Sequence, residues 1–134
     1  MRSVVVARAA EIGPGERKLV EIGGRSIGVF NIGGEYFALR NRCPHQGGPL
    51  CAGLQFAPLR AKTPGEYERG RDGEVIRCPW HGWEFEIRTG RSWFDPQRTR
   101  VRSYPAGESA EPPPDAERYA ARQDGPYVVV ELDR

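Results

Sequence analysis

The chain has 134 residues, 38% hydrophobic and 28% charged, with a formal net charge of +2 at pH 7. That length fits one domain with a single activity centre and leaves no room for a second catalytic domain. The near-balanced charge is carried by scattered arginines, with Lys18 and Lys62 the only lysines, and offers no basic patch for nucleic acid.

The N-terminus has a basic residue and small side chains, but its apolar run, Val4-Val5-Val6, is too short. A signal-peptide core needs about seven residues or more, and a membrane span roughly 18. Three cysteines do not make a secreted disulfide framework. The expectation is a cytoplasmic protein with no membrane association. Short β-rich runs at 4–7, 18–22, 26–32 and 36–40 are predicted as antiparallel strands. Gly23-Gly24 and Gly33-Gly34 fall between them, where hairpin turns need positive φ, so the segment reads as a meander.

Residues 53–73, rich in Gly, Pro, Arg and Glu, read as an inserted surface loop. Strands are predicted at 74–77 and 83–87, with Thr89-Gly90 as a closing turn, and again at 101–104 and 127–132. No segment carries a convincing helical period, so the class is all-β. The stretch 105–126 holds Pro112-Pro113-Pro114 and many charges, which is poor core material, and reads as a flexible excursion. A short helix over 115–122 is the open alternative, with Asp115 placed to cap it and Ala116, Ala120 and Ala121 to favour it.

The chemistry sits in two short knuckles, Cys43-Pro44-His45 and Cys78-Pro79-Trp80-His81, which together use every histidine in the chain. Zinc sites usually gather like ligands, a Cys pair in one element and a His pair in another. Here each knuckle is mixed. Two such loops clamping a two-metal cluster let Cys43 and Cys78 take one iron while His45 and His81 take the other, which is the ligand logic of a Rieske [2Fe-2S] centre. Each proline stiffens its loop by fixing φ. Gly47, Gly48 and Gly82 allow close backbone approach, so that amides can point at the sulfurs.

The run Cys43-Pro44-His45-Gln46-Gly47-Gly48-Pro49-Leu50, followed by Cys78-Pro79-Trp80-His81-Gly82-Trp83, resembles the Rieske family, in particular its small bacterial ferredoxins and the related domains of ring-hydroxylating oxygenases. The likeness spans about 4–105 and resumes at 127–132. It departs at the 32 residues between His45 and Cys78, about twice the usual family spacing, and the excess is the 53–73 insertion. The resemblance implies an antiparallel β-sandwich or barrel base, about 1–40 and 97–134, carrying a small inserted cluster-binding subdomain, about 41–96, with the two ligand loops. It also implies one [2Fe-2S] cluster held by Cys43, His45, Cys78 and His81.

Further implications concern the neighbours of the ligands. In high-potential Rieske proteins of quinol-oxidising complexes, a Ser and a Tyr at the positions of Trp83 and Phe85 donate hydroxyl hydrogen bonds to sulfurs, and a disulfide joins the positions of Gly48 and Trp80. This chain has neither, so the resemblance implies a low-potential centre without a covalent brace. Cys51, with no fourth cysteine to meet, reads as a buried thiol. Trp83 and Phe85 share a strand face and read as cover over the cluster. Trp93 and Phe94 read likewise as core or cover. Trp80, at a loop tip, reads either as a docking mark or as a lid.

A Rieske oxygenase also needs a mononuclear iron, commonly held by two histidines and a carboxylate. With His45 and His81 committed, no such site is expected in this chain, which leaves one-electron transfer rather than catalysis. The resemblance implies a flavin-dependent reductase as donor and a terminal oxygenase or other redox acceptor as partner, docking transiently near His45 and His81. Two alternatives stand beside this: the small subunit of a nitrite reductase, and a structural Cys2His2 zinc module.

Overall fold

The computed structural model describes residues 2–44, 47–56, 59–63, 66–69, 74–80, 82–92, 97–109, 117–118 and 126–132. In chain order the strands are β1 (Arg2–Arg8), β2 (Arg17–Ile22), β3 (Arg25–Ile32), β4 (Glu35–Arg40), β5 (Leu54–Phe56), β6 (Leu59–Thr63) and β7 (Glu66–Arg69). They continue as β8 (Val75–Arg77), β9 (Glu84–Glu86), β10 (Ser103–Tyr104), β11 (Ala106–Ser109), β12 (Glu117–Arg118) and β13 (Tyr127–Leu132), with 3-10 turns at Ala9–Glu11 and Leu50–Ala52. Among the described residues there is no α-helix, and no helix long and apolar enough to cross a membrane.

The predicted meander is present. Ile22 faces Arg25 and Ile32 faces Glu35, so β2–β3 and β3–β4 close in two residues each. Gly23, Gly24, Gly33 and Gly34 have φ of 57, 78, 62 and 92°. Two successive left-handed residues match the right-handed twist of the strands, and glycine adopts them without a Cβ penalty.

Three layers follow from the pairing. One four-stranded sheet has the order β11-β13-β1-β12 and a second β10-β4-β3-β2, while β5-β8-β9 forms a three-stranded sheet. Val4, Val6, Ile27, Val29, Ala38, Tyr104, Val128 and Val130 fill the core between the two larger sheets. On the other face of the second sheet, Phe30, Ile32 and Leu39 meet Ile76 and Phe85 of the small sheet in a second core. The second sheet is therefore the middle layer, and β3 is buried on both faces over Ile27 to Ile32. Strand β10 leads through Pro105 into β11, so the chain crosses from one large sheet to the other at that proline.

Several expectations are corrected. The 53–73 loop contains β5, which lies antiparallel to β8 with Leu54 opposite Arg77 and Phe56 opposite Val75, and the β6–β7 hairpin. Strand β5 pairs an edge of β8 that would otherwise stay open. In β6–β7, Pro64-Gly65 falls between the paired Thr63 and Glu66, a turn-forming dipeptide that composition alone obscured. Within 105–126, Ala106–Ser109 is β11 against β13, held by main-chain bonds that need no β-forming side chains. Glu117–Arg118 is extended and parallel to β1, so the helix alternative fails at those two residues, and the rest of 110–125 lies outside the described residues. The strands expected over 83–87 and 101–104 shrink to Glu84–Glu86 and Ser103–Tyr104, because Gly90, at φ 76°, accepts from the Val101 amide and donates to the Glu86 carbonyl.

Candidate metal centre

The two knuckles share one backbone scheme. In the first, the Gly47 amide donates to the Cys43 carbonyl at 2.7 Å and the Cys43 amide to the Gly48 carbonyl at 2.8 Å. In the second, the Gly82 amide donates to the Cys78 carbonyl at 3.0 Å and the Cys78 amide to the Trp83 carbonyl at 2.7 Å. Each loop is thus closed by its fifth and sixth residues upon its cysteine. Gly47 and Gly82 occupy equivalent places, with φ of 79 and 74°. Their amides close the loops.

Each loop starts where a strand ends, Cys43 shortly after β4 and Cys78 directly after β8. Cys43 and Cys78 are each 2% exposed, are not in disulfides, and belong to the same second core with Leu50, Ile76, Phe85 and Ile87. Trp83 packs against that core half-buried and Phe85 lies inside it, as their shared face requires. The side chains of His45, His81, Trp93 and Phe94 lie outside the described residues. Trp80 is 57% exposed at the tip of the second loop.

Close packing at three glycines holds the loops in place. A Cβ on Gly48 would lie 2.9 Å from Cγ and Cδ2 of Trp80 and 3.0 Å from Sγ of Cys78. The first loop therefore passes directly over the second at Gly48. At Gly53 a Cβ would overlap the Arg77 carbonyl, the residue just before Cys78. The Gly53 amide donates to Leu50 and its carbonyl accepts from the Arg17 guanidinium on β2, so this residue ties the root of both loops to the middle sheet. Composition placed Gly53 at the start of an insertion, and no local signal marks its contact with Arg77. Gly28 on β3 is the third case, its open side filled by Cys51 Cβ and Sγ at 2.6 Å.

Cys51 itself is buried, its amide bound to Asn41 Oδ1 at 2.8 Å and its Sγ 3.5 Å from the Leu39 carbonyl. Burial pushes this thiol up to about 12, against small opposing effects of the Gly28 backbone and the Arg17 charge. It is a buried core thiol, as expected, and it shares the second core with the two loop cysteines while its sulfur is seated against Gly28 of β3. Arg42 lies along the first loop, its Nε 3.5 Å from where a Gly47 Cβ would sit.

Residues 2–105 match the Rieske [2Fe-2S] domain. The chain belongs to that family. Among its relatives, the biphenyl dioxygenase ferredoxin subunit of Pseudomonas sp. (strain KKS102) is 28% identical over 95 residues, 71% of this chain and 73% of that protein. The 3-phenylpropionate/cinnamic acid dioxygenase ferredoxin subunit of Escherichia coli (strain K12) is 24% identical over 105 residues, covering 78% and 84%. Human apoptosis-inducing factor 3 is 34% identical over 85 residues, but the chain spans only 11% of that protein's length. The ferredoxin of carbazole 1,9a-dioxygenase from Nocardioides aromaticivorans IC177 superimposes with a TM-score of 0.61 at 23% identity, covering 97% of each chain.

Membership in the Rieske family brings one [2Fe-2S] cluster as resident cofactor. The described residues fit it. Two thiols outside any disulfide, shielded from water in one apolar core and presented by congruent closed loops, are suited to thiolate ligation.

Proposed function

We propose that this Rieske protein is a one-electron carrier, an electron-transfer component and not an enzyme, whose cluster is held by Cys43 and Cys78 on one iron and His45 and His81 on the other. The pair of congruent loops bearing buried thiols outside any disulfide is the observation that supports it. When bound, the cluster supplies reversible uptake of a single electron. Loop closure at Gly47, Gly48, Gly82 and Trp83, with φ fixed at Pro44 and Pro79, keeps the ligand frame rigid, so little must move when the charge changes. Phe85 and Trp83 keep water from the thiolate side. The subdomain reading of 41–96 agrees with a sheet, β5-β8-β9, lying wholly inside that span while both large sheets lie outside it.

The names of the ferredoxin relatives, each a subunit of a dioxygenase, support a terminal oxygenase or similar acceptor as recipient; a flavin-dependent reductase is the donor proposed with it. One of the similar structures is a reduced complex between oxygenase and ferredoxin of carbazole 1,9a-dioxygenase, matched with a TM-score of 0.63 at 21% identity. Docking is transient and near His45 and His81; Trp80, the residue before His81 in the sequence, presents apolar surface to solvent. The cytoplasm is the proposed compartment. Trp83 and Phe85 bring no hydroxyl to the sulfurs, so the midpoint potential falls in the lower part of the roughly −150 to +300 mV Rieske range. Nothing observed favours a nitrite reductase subunit, and family membership sets aside the zinc module.

The test is absorbance of freshly purified protein, electron paramagnetic resonance after reduction, and potentiometric titration. Cys43→Ser and Cys78→Ser abolish the spectrum while Cys51→Ser retains it; identical spectra for Cys51→Ser and Cys78→Ser sink the ligand assignment. A clearly positive midpoint sinks the low potential.

A further inference from the structure

We infer that Trp80 is a latch between the two ligand loops, a positioning residue that sets how long the cluster stays bound; this rests on the carrier reading above. The indole carbons Cγ and Cδ2 press on the Gly48 backbone of the opposite loop, at 2.9 Å from where a Cβ would be, with Cys78 Sγ at 3.0 Å from the same point. The Gly48 carbonyl in turn holds the Cys43 amide at 2.8 Å. One side chain therefore links the second loop to the cysteine of the first, next to the other cysteine's sulfur.

Its exposure separates this role from two others. A core residue would be buried, and Trp80 is 57% exposed. A residue serving only to meet a partner would not be wedged onto the opposing loop. No covalent link competes with it, since none of Cys43, Cys51 and Cys78 is in a disulfide and Cys51 is seated against Gly28. The roots of the loops are pinned at Gly53 by backbone packing, whereas the tips have this indole across them. Loop tips open locally at much lower free energy than the core unfolds. Release of the cluster requires the tips to part, so the latch acts on the opening step and leaves the sandwich unaffected.

The experiment follows bleaching of the visible spectrum of the loaded protein in excess chelator, with the paramagnetic spectrum of the reduced protein recorded beforehand. Trp80→Ala releases the cluster about 10-fold faster, and Trp80→Phe, which keeps an aromatic face on Gly48, stays within about 3-fold of wild type. Both retain the wild-type thermal unfolding midpoint of the apoprotein. The double variant Gly48→Cys with Trp80→Cys replaces the contact by a bond, so its retention rises on oxidation and falls when the bond is reduced. That pair of states decides the matter even where Trp80→Ala takes up no cluster, and equal retention in both overturns the latch. Equal release by wild type and Trp80→Ala, or an equal acceleration in Trp80→Ala and Trp80→Phe, also overturns it. A wild-type protein without any cluster overturns the carrier reading instead.

Discussion

At the hairpin end of the sandwich, Gly24 and Gly34 have positive φ, and an added Cβ on either would meet nothing within 4 Å. At the ligand-loop end, Gly28, Gly48 and Gly53 lie outside the left-handed region, yet an added Cβ would press on Cys51, on Trp80 and Cys78, or on the Arg77 carbonyl. The first group is glycine because of what the backbone does locally. The second is glycine because of what another segment does nearby. The glycines of the hairpins thus answer to local backbone geometry, whereas the geometry of the cysteines depends on contacts between segments far apart in the chain.

Substitutions can break this contrast. The largest expected effect is Gly53→Ala, where relief requires the end of β8, and Cys78 with it, to move; it destabilises by about 3 kcal/mol or more and lowers cluster occupancy. Gly24→Asn, at an open site that tolerates a left-handed residue, costs about 1 kcal/mol or less. Denaturant unfolding of both, with the cluster absorbance per chain, checks the pair, and similar losses would erase the distinction.

An intermediate effect is expected at Asn31, which is buried in the sandwich. Its amide Nδ2 donates to the Ile12 carbonyl at 2.8 Å and its Oδ1 accepts from the Gly34 amide at 2.8 Å, tying the β3–β4 turn to the β1–β2 connection. Asn31→Ala strands the Gly34 amide and leaves the Ile12 carbonyl only the Tyr36 hydroxyl at 3.4 Å; it costs about 1–3 kcal/mol, with the cluster spectrum unchanged. A shifted spectrum in that variant would show that the two ends are coupled.

The smallest effect concerns Cys51, on the ligand-loop side but outside the ligand set. Its folded-state value, about 12, lies above the ordinary thiol value, so the neutral thiol is what the fold favours. The stability contribution is complete below about pH 8.5, the unfolded-state range, and is lost as pH rises toward the folded value. Iodoacetamide at pH 8 should therefore leave Cys51 unmodified in the folded protein and label it once urea unfolds the chain. Rapid labelling of the folded form would contradict the burial.

Much was legible from residues alone. Strand alternation at 26–32 and 36–40 and the paired glycines of the meander are local patterns, and each appears where expected; the Cys-Pro knuckles are local patterns too, and the structure brings their two cysteines into one core. The terminal strand 127–132 coincides with β13. Errors fell where main-chain pairing operates without a side-chain signature. Ala106–Ser109 has no β-forming run and becomes β11 because an edge of β13 is available, and Leu54–Phe56 becomes β5 because β8 offers one. Asn31 carried no local mark either, since its value lies in a turn and a connection brought together by the fold.

Composition, periodicity and motif spacing thus determined the all-β class, the hairpin turns and the candidate ligands of the proposed metal centre, because each depends on the chain's own neighbours. Only the tertiary structure decided that β3 is buried on both faces, that Gly53 wedges against Arg77 and that Trp80 lies on Gly48. Those are contacts between segments whose separation along the chain hides them, and their distances exist only once the layers have packed.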